Sequence, residues 1–194
     1  SLIRDKKKAA AIASVRAEEL PPVRIIESGD VLTKVEALFE YENTVAIVHY
    51  LVNRASSALK IQVRVINSLK NRIIKLMLPL GFQAEGYSGK TVFGINRLNM
   101  DGSETVSQEY CIAHNRGHAL SVIKTGCYGA HFKDNTLGLS LLRGAAYCAH
   151  PIGDRSILTS DRFAERMDQG ERVFAFVLNA SDAASRFQAI EQEA

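Results

Sequence analysis

The sequence predicts an all-β fold, an antiparallel sandwich or barrel, and three observations support this prediction. About ten strand-like segments follow one another at intervals of roughly ten residues. No segment with helical periodicity separates them between residues 23 and 143, as an α/β fold would require. Apolar and polar residues alternate within several segments, for example in LKIQVRV at 59–65. This alternation gives a strand one buried face and one wet face.

Residues 1–22 are predicted to form an arm or linker that precedes the sandwich. The stretch from Ile3 to Leu20 is rich in alanine and flanked by charged residues, which favours a helix. Pro21 and Pro22 end this stretch, because proline cannot continue a helix and also restricts the residue before it.

The predicted strands begin after these prolines, and turn-forming pairs such as Gly29 with Asp30 separate them. Pro79 stops one of the strands, since proline lacks the N–H group that a central strand needs. Residues 82–89 contain glycine and are predicted to be irregular. The strands predicted before residue 114 are 23–26, 32–41, 44–52, 59–65, 73–78, 91–95 and 106–113.

The stretch from Gly117 to Leu142 is predicted to form three short strands at the centre of the sheet. Gly126 and Gly129 interrupt its alternation, and the segment KDN at 133–135 indicates a tight turn. Alternation resumes after this turn at Leu137, Leu139 and Leu141. Because this period is two, the stretch is a sheet core rather than a helix.

Residues 144–167, which follow Arg143, show no clear periodicity. Long loops of this kind are usually functional or mobile, so we expect a ligand to bind here. A strand is predicted at 171–178, and Ser181 is predicted to cap a short helix at 182–193. The expected plan is therefore a sandwich domain at 23–180 and a truncated C-terminal helix at 181–194.

The composition is that of a globular protein without a membrane-spanning segment. Hydrophobic residues make up 46% of the 194 residues and charged residues 23%, and no apolar run approaches the ~20 residues that cross a bilayer. The net charge of +3 includes a basic run at 6–8 that we interpret as a solvated end, so neither nucleic acid nor membrane is an expected partner. Three cysteines at irregular spacing favour a reducing compartment, by default the cytoplasm.

Cysteine and histidine side chains raise a metal-site hypothesis. Cys111, His114 and His118 are residue types that bind zinc. The segment HNRGH at 114–118 is more typical of a hairpin loop, and it offers only three ligands, so we favour that interpretation. Cys127 and Cys148 lack a basic partner at fixed spacing and are expected to be inert small hydrophobic residues.

Carboxylates of the late segment raise the question of glycoside hydrolysis, which requires an acid together with a base or nucleophile. Neighbouring arginines make a solvated ion-pair network the more common alternative, and sequence spacing alone does not separate the two. No nucleotide-binding, metalloprotease or nucleophile-elbow motif is present, so no motif supports independent catalysis. The carboxylates are Asp154, Asp161, Glu165, Asp168 and Glu171.

Several short segments together resemble the C-terminal region of glycoside hydrolase family 38 α-mannosidases. Their order and spacing carry the resemblance, which covers residues 23–178. The segments are RIIESG at 24–29, Asn67 with NRIIK at 71–75, Tyr128-Gly129, KDNTL at 133–137, LLR at 141–143, DQGER at 168–172 and FAF at 174–176. The chain has no tryptophan, so it is more similar to the bacterial branch than to animal members, many of which have a tryptophan-containing strand.

The resemblance implies a supersandwich fold related to galactose mutarotase. Enzymes of this family cleave α-mannosidic bonds with retention, and their aspartate nucleophile and zinc ion lie in an N-terminal α/β domain. Those groups have no counterpart in this sequence. The chain is therefore expected to be a fragment without catalytic residues, metal ligands or cofactors of its own, and zinc is expected in the missing catalytic domain.

The resemblance also suggests what the fragment contributes. Arg143 is a candidate for the rim of the substrate pocket, because the corresponding strand end in the family lies near the substrate, and Tyr147 is a second candidate. The expected partners are an α-mannoside glycan or oligosaccharide, through the full-length enzyme, and the catalytic domain of the same polypeptide. An open edge strand would also allow a homo-oligomer.

A different class of function stays open as the alternative. The chain would then be an autonomous carbohydrate-binding module or a mutarotase-like sugar epimerase, since that fold hosts both. An epimerase needs an acid and a base on opposite sides of the sugar ring. The candidates are His49, His114, His118, His131 and His150, which have no diagnostic spacing.

Overall fold

The chain folds into two antiparallel β-sheets that face each other, which confirms the predicted sandwich. A computed structural model describes residues 1–14, 19–146 and 165–194. The helices are α1 (Lys6–Ile12) and α2 (Ala183–Glu193). The strands are β1 (Val23–Ser28), β2 (Leu32–Tyr41), β3 (Thr44–Asn53), β4 (Leu59–Asn67), β5 (Ile73–Pro79), β6 (Gly86–Thr91), β7 (Gly94–Arg97), β8 (Thr105–Val106), β9 (Tyr110–His114), β10 (Ala119–Thr125), β11 (Gly129–Lys133), β12 (Thr136–Arg143) and β13 (Gly170–Ser181).

The two sheets differ in width. The large sheet has nine strands in the order β1-β2-β3-β4-β13-β10-β9-β6-β7, and the small sheet has four in the order β5-β12-β11-β8. The strand pairings among the described residues are antiparallel, as short turns between consecutive strands require. In the large sheet the late strand β13 lies at the centre, between β4 and β10.

The main core fills the space between the sheets and follows the period-two pattern. In β4 the residues at 61, 63 and 65 are buried, whereas the polar residues between them are exposed. Phe132 of β11 stacks on Tyr87 of β6, with ring centroids 5.6 Å apart. Residues from both sheets therefore interdigitate in one apolar layer, which is the main source of stability in a sandwich.

The stretch that the sequence predicts as the sheet core forms β10, β11 and β12. The turn between β11 and β12 has positive φ at Asp134 (47°) and Asn135 (57°), as a two-residue hairpin of type I′ requires. The alternation of leucines holds only to Leu139. A β-bulge between Ser140 and Leu142 then shifts the register, so that Leu142, rather than Leu141, is fully buried.

The prediction for residues 82–95 is wrong in one part. The expected strand at 91–95 is split, because Val92 and Phe93 form the exposed turn between β6 and β7, while the expected irregular segment contains most of β6. The glycines here serve close packing rather than irregularity. A Cβ atom at Gly86 would lie 2.4 Å from Nε2 of His114, so a larger residue here would force the imidazole ring to move.

The expected single strand at 106–113 is two strands in different sheets. Thr105–Val106 pairs with β11 in the small sheet, and Tyr110–His114 pairs with β10 in the large one. Between them the backbone N–H of Gln108 donates to the carbonyl of Lys90, 2.8 Å away. The chain changes sheets at this point, and alternation alone carries no signal of such a crossing.

The N-terminal helix is shorter than predicted. It covers Lys6–Ile12, and the carboxylate of Asp5 caps it by accepting the backbone N–H of Lys7 at 2.9 Å. Ile3 and Ala9 are buried against Leu38 and Ile47, on the outer face of β2 and β3. The described part of 1–22 thus packs on the large sheet, while the expected domain boundaries stay a prediction.

The C-terminal helix forms as predicted, but with a different cap. Asp182 caps α2, because its carboxylate accepts the backbone N–H of Ser185 at 2.9 Å, whereas Ser181 is the last residue of β13. Ile190 is buried against Tyr110 and Ile112, on the outer face of β9. Among the described residues, no helix has the length and apolar character that crossing a membrane would require.

Candidate functional site

Arg143 lies at the end of β12, where three segments of the chain meet. Its backbone pairs with Ile73 of β5, and its N–H donates to Oδ2 of Asp168 at 2.9 Å. The segments that meet here are the loop 68–72, the residues after β12 and the residues before β13. Arg143 is an exposed residue at a strand end whose backbone is held on both sides.

Asn67 holds the segment before β13 against this strand end. Its amide, in a residue only 4% exposed, donates to the carbonyl of Asp168 at 2.7 Å. The amide oxygen accepts the backbone N–H of Leu69 at 3.0 Å and the hydroxyl of Thr44 at 3.2 Å. Because all these groups are satisfied inside the protein, the Asp168 backbone is fixed next to Arg143.

The loop 68–72 is fixed to the end of β12 in a similar way. The N–H of Asn71 donates to the carbonyl of Gly144 at 2.6 Å, and the N–H of Gly144 donates to the carbonyl of Arg72 at 2.8 Å. A Cβ atom at Gly144 would lie 2.5 Å from the carbonyl oxygen of Leu69, so this close approach requires glycine. Gly144, directly after β12, is therefore held against the loop 68–72.

A largely apolar groove of about 470 Å³ adjoins this region. Leu69 and Arg72 of the loop line one end of it, and the inner faces of β2, β3 and β4 form its floor. The edge of β5 forms one wall, through Ile74 and Leu76. The junction at Arg143 thus lies beside an apolar groove between the two sheets.

The predicted site residues have different outcomes. Arg143 lies at the junction just described, whereas Tyr147 lies outside the described residues, as do Cys148, His150, Asp154 and Asp161. Of the described carboxylates, Glu171 forms a two-pronged pair with Arg64, with both hydrogen bonds at 2.9 Å. Hydrogen bonding to Arg64 and the positive charge of Arg64 hold the pKa of Glu171 below its ordinary value. Glu171 therefore fits the ion-pair interpretation rather than an acid.

The cysteine and histidine residues at 111–118 form the predicted hairpin. His114 pairs with Ala119 across β9 and β10, and the side chain of Asn115 accepts the N–H of His118 at 2.7 Å within the loop. Cys111 is fully buried in the core. Within the ranges that the structure describes, no group of three or more His, Cys, Asp or Glu side chains is placed to hold a metal ion.

The four described histidines each have a different environment. His49 lies 3.0 Å from the buried carboxylate of Glu36, and His131 lies 2.9 Å from Nζ of Lys75. The rings of His114 and His118 pack on Phe187 and Phe82, respectively. This arrangement provides no acid and base facing each other across a shared cleft, as an epimerase would need.

A polar cluster on the outer face of the small sheet was not predicted. Nζ of Lys75 donates to Oε2 of Glu104 at 2.5 Å and contacts Nδ1 of His131, while the hydroxyl of Ser140 donates to the same carboxylate. Burial raises the pKa of Glu104, but these hydrogen bonds outweigh it and leave that pKa below its ordinary value. Glu104 is thus held as an anion and suits a structural ion pair better than a proton donor.

The buried thiol of Cys111 gives a prediction for alkaline pH. Burial raises its pKa from 9.0 to about 11, although the nearby Lys124 ammonium opposes this. A raised pKa stabilises the folded state below pH 9, and that stabilisation is lost as pH rises through about 11. We expect the stability difference between wild type and Cys111→Ala to fall by roughly 2–3 kcal/mol between pH 8 and pH 11. Urea unfolding at both pH values measures this stability difference, and a difference that does not change with pH would contradict the prediction.

Comparisons with known proteins agree with this architecture. The family model described as "Glycosyl hydrolases family 38 C-terminal domain" matches residues 2–151. No curated protein sequence matches the chain. Two solved structures from Enterococcus faecalis have a similar fold, one described as an alpha-mannosidase of strain V583 and the other as a protein in the Glycosyl Hydrolase Family 38.

The two structures extend far beyond the region that they share with this chain. Their TM-scores are 0.71 and 0.70 at 14% identity, which establishes a common fold. Each alignment covers 88% of this chain but only 23% and 24% of the solved chains. This chain therefore spans about a quarter of their length. Because the family model matches most of its sequence, the chain belongs to the C-terminal domain family of the family 38 glycosyl hydrolases.

Proposed function

We propose that this chain is the non-catalytic β-sandwich of an α-mannosidase. Membership of the family supports this proposal, together with the fold it shares with a larger bacterial alpha-mannosidase. The full-length enzyme would hydrolyse α-mannosidic bonds of a glycan or oligosaccharide with retention of configuration, in mannose metabolism. The sandwich would pack on the catalytic domain of the same polypeptide.

Zinc, which the family implies, does not fit the residues described here. No grouping of three or more suitable side chains occurs among residues 1–14, 19–146 and 165–194. In our proposal a divalent ion is bound by the catalytic domain, and this chain contributes binding and orientation only.

The observation that carries the proposal is the exposed side chain of Arg143 on a fixed strand end. Its backbone is tied to Asp168 and Ile73, which limits how far the side chain can move. A guanidinium group has five N–H donors in a rigid plane, which suits it to neighbouring sugar hydroxyls. Arg143 would thus hold a mannoside at the rim of the pocket, and Tyr147 would be a second rim residue.

The full-length protein that contains this chain provides the test. We expect Arg143→Ala to lower kcat/KM for 4-nitrophenyl α-mannoside about 10-fold, equivalent to roughly 1.4 kcal/mol of transition-state binding. Arg143→Lys should retain part of the activity, because it keeps the charge but loses the planar donors.

Arg54→Ala is the matched control. Arg54 follows β3 at the opposite end of the large sheet, with a side chain that is 71% exposed. The control variant removes the same charge and should leave kcat/KM unchanged. Equal activity of the Arg143 and Arg54 variants would refute the rim role.

We further propose that the protein resides in the cytoplasm. Cys111 and Cys127 are free thiols in the core. Burial raises the pKa of Cys127 as well, so this thiol stays protonated and unreactive. Unpaired buried cysteines of this kind support a reducing compartment.

A further inference from the structure

The small sheet leaves part of the large sheet uncovered on one side. β5 is its outermost strand there, and the large sheet continues past it through β3, β2 and β1. The groove of about 470 Å³ lies in this overhang, between the edge of β5 and the inner face of β2 and β3. Among the residues that the structure describes, none occupies the next position in the small sheet.

The edge of β5 has backbone groups that face this open position. The N–H of Leu80 donates to the carbonyl of Asn135, on the β12 side, at 3.0 Å. Because N–H groups alternate along an antiparallel strand, those of Lys75 and Met77 face away from β12. An additional strand would find donors and acceptors at the spacing of a regular sheet.

The floor of the groove is apolar where such a strand would lie. Phe39 of β2 and Ala46, Val48 and Tyr50 of β3 line it from the large sheet. Phe39, Ala46 and Tyr50 are only partly buried, although they belong to the apolar layer between the sheets. Facing sheets pack about 10 Å apart, so a strand beside β5 would bury these side chains as β12 buries its own partners.

A second copy of this chain cannot occupy the position by pairing β5 with β5 in one continuous sheet. Antiparallel pairing would put both large sheets on the same side of that joined sheet. Each large sheet extends past its own β5, so each would fill the space that the other needs. The occupant must therefore be a strand that brings no such overhang with it.

We propose that a further segment of the longer polypeptide adds one strand to the edge of β5. This inference rests on the part of the proposed function that makes the chain one piece of a larger enzyme. The strand would have apolar residues at alternate positions, which face Phe39 and Tyr50. It would extend the interface that already exists between the two sheets. About three quarters of the length of the similar structures lies outside the region that they share with this chain, and the strand could come from there.

Hydrogen–deuterium exchange at single-residue resolution on the full-length protein tests the proposal. The amides of Lys75 and Met77 should exchange at least about 100-fold more slowly than unprotected amides, because a neighbouring strand accepts them. Exchange of these two amides at the unprotected rate would overturn the inference of an added strand. It would not affect the proposed function, which the activity assay of the Arg143 variants tests separately. A native polypeptide of only 194 residues would overturn both proposals.

Met77→Pro is the variant that tests the unpaired edge of β5 separately from its pairing with β12. It removes an N–H that faces the open position and spares those that pair with β12, so the 194-residue chain should unfold at nearly the same temperature. In the full-length protein it should restore fast exchange at Lys75. Leu76→Pro is the control, since it removes an N–H on the β12 side and should destabilise both proteins.

The oligomeric state completes the test. By analytical ultracentrifugation the 194-residue chain should stay a monomer. A concentration-dependent dimer that Met77→Pro abolishes would show that a second copy occupies the edge, contrary to the proposal. Unchanged exchange at Lys75 in full-length Met77→Pro would also contradict it.

Discussion

Phe132→Ala is expected to lower the free energy of unfolding by about 3–5 kcal/mol, which is typical of a large aromatic residue removed from a packed core. Phe132 is 2% exposed and lies between the sheets on β11. Its ring stacks on Tyr87, so truncation removes both buried area and the aromatic pair. The strands around it are hydrogen-bonded on both sides and cannot collapse into the cavity.

Phe93→Ala provides a control with the same chemical change. Phe93 is fully exposed in the turn between β6 and β7, so its loss should change the free energy of unfolding by no more than about 0.5 kcal/mol. Urea unfolding of both variants measures the difference. Similar losses would mean that the layer between the sheets is not the principal core.

Lys124→Met is expected to lower the free energy of unfolding by about 2–4 kcal/mol, because it leaves buried carbonyl groups without a donor. The ammonium group of Lys124, in a residue only 5% exposed, donates to the carbonyls of Ser107 (2.7 Å), Cys127 (2.8 Å) and Tyr128 (3.2 Å). It thereby connects β10 with the crossing point at 107 and with the turn that leads into β11.

The cost of burying the charge of Lys124 limits how much stability Lys124→Met should lose. Burial lowers the pKa of Lys124, so the three carbonyls only partly replace water around the ammonium group. Methionine avoids that cost but cannot satisfy the carbonyls. Lys60→Met, at an exposed position on β4, should have almost no effect on thermal unfolding. If both variants had the same melting temperature, the carbonyl contacts of Lys124 would contribute nothing to stability.

Much of the fold follows from local sequence, since half-buried strands carry a period-two signal. The segments 32–41 and 44–52 are found as β2 and β3 with almost the predicted bounds. The strand bounds within residues 86–97 are harder to predict, because Gly86 packs against the ring of a histidine 28 positions later in the chain. A window of neighbouring residues contains no information about such a contact.

The candidate site likewise has one part that the sequence predicts and one part that depends on contacts between distant residues. The sequence pattern and the family resemblance together indicated that Arg143 closes a strand, and the structure confirms that it ends β12. Its role at a sugar pocket stays a prediction. The cluster of Lys75, Glu104, His131 and Ser140 was missed because its members come from separate parts of the chain. Only the pairing of β5 with β12, of β12 with β11 and of β11 with β8, which follows Glu104, brings them together.

The central place of β13 has a consequence for how the protein is made. A ribosome synthesises the block β1 to β4 and the block formed by β6, β7, β9 and β10 first, yet these two blocks of the large sheet have no direct strand pairing with each other. Only when residues 170–181 emerge can one strand bridge the open edges of β4 and β10. Until then the nascent chain has two separate parts of the large sheet, each with an unpaired edge strand that can aggregate. The late segment therefore completes the fold of the whole domain by joining these two parts.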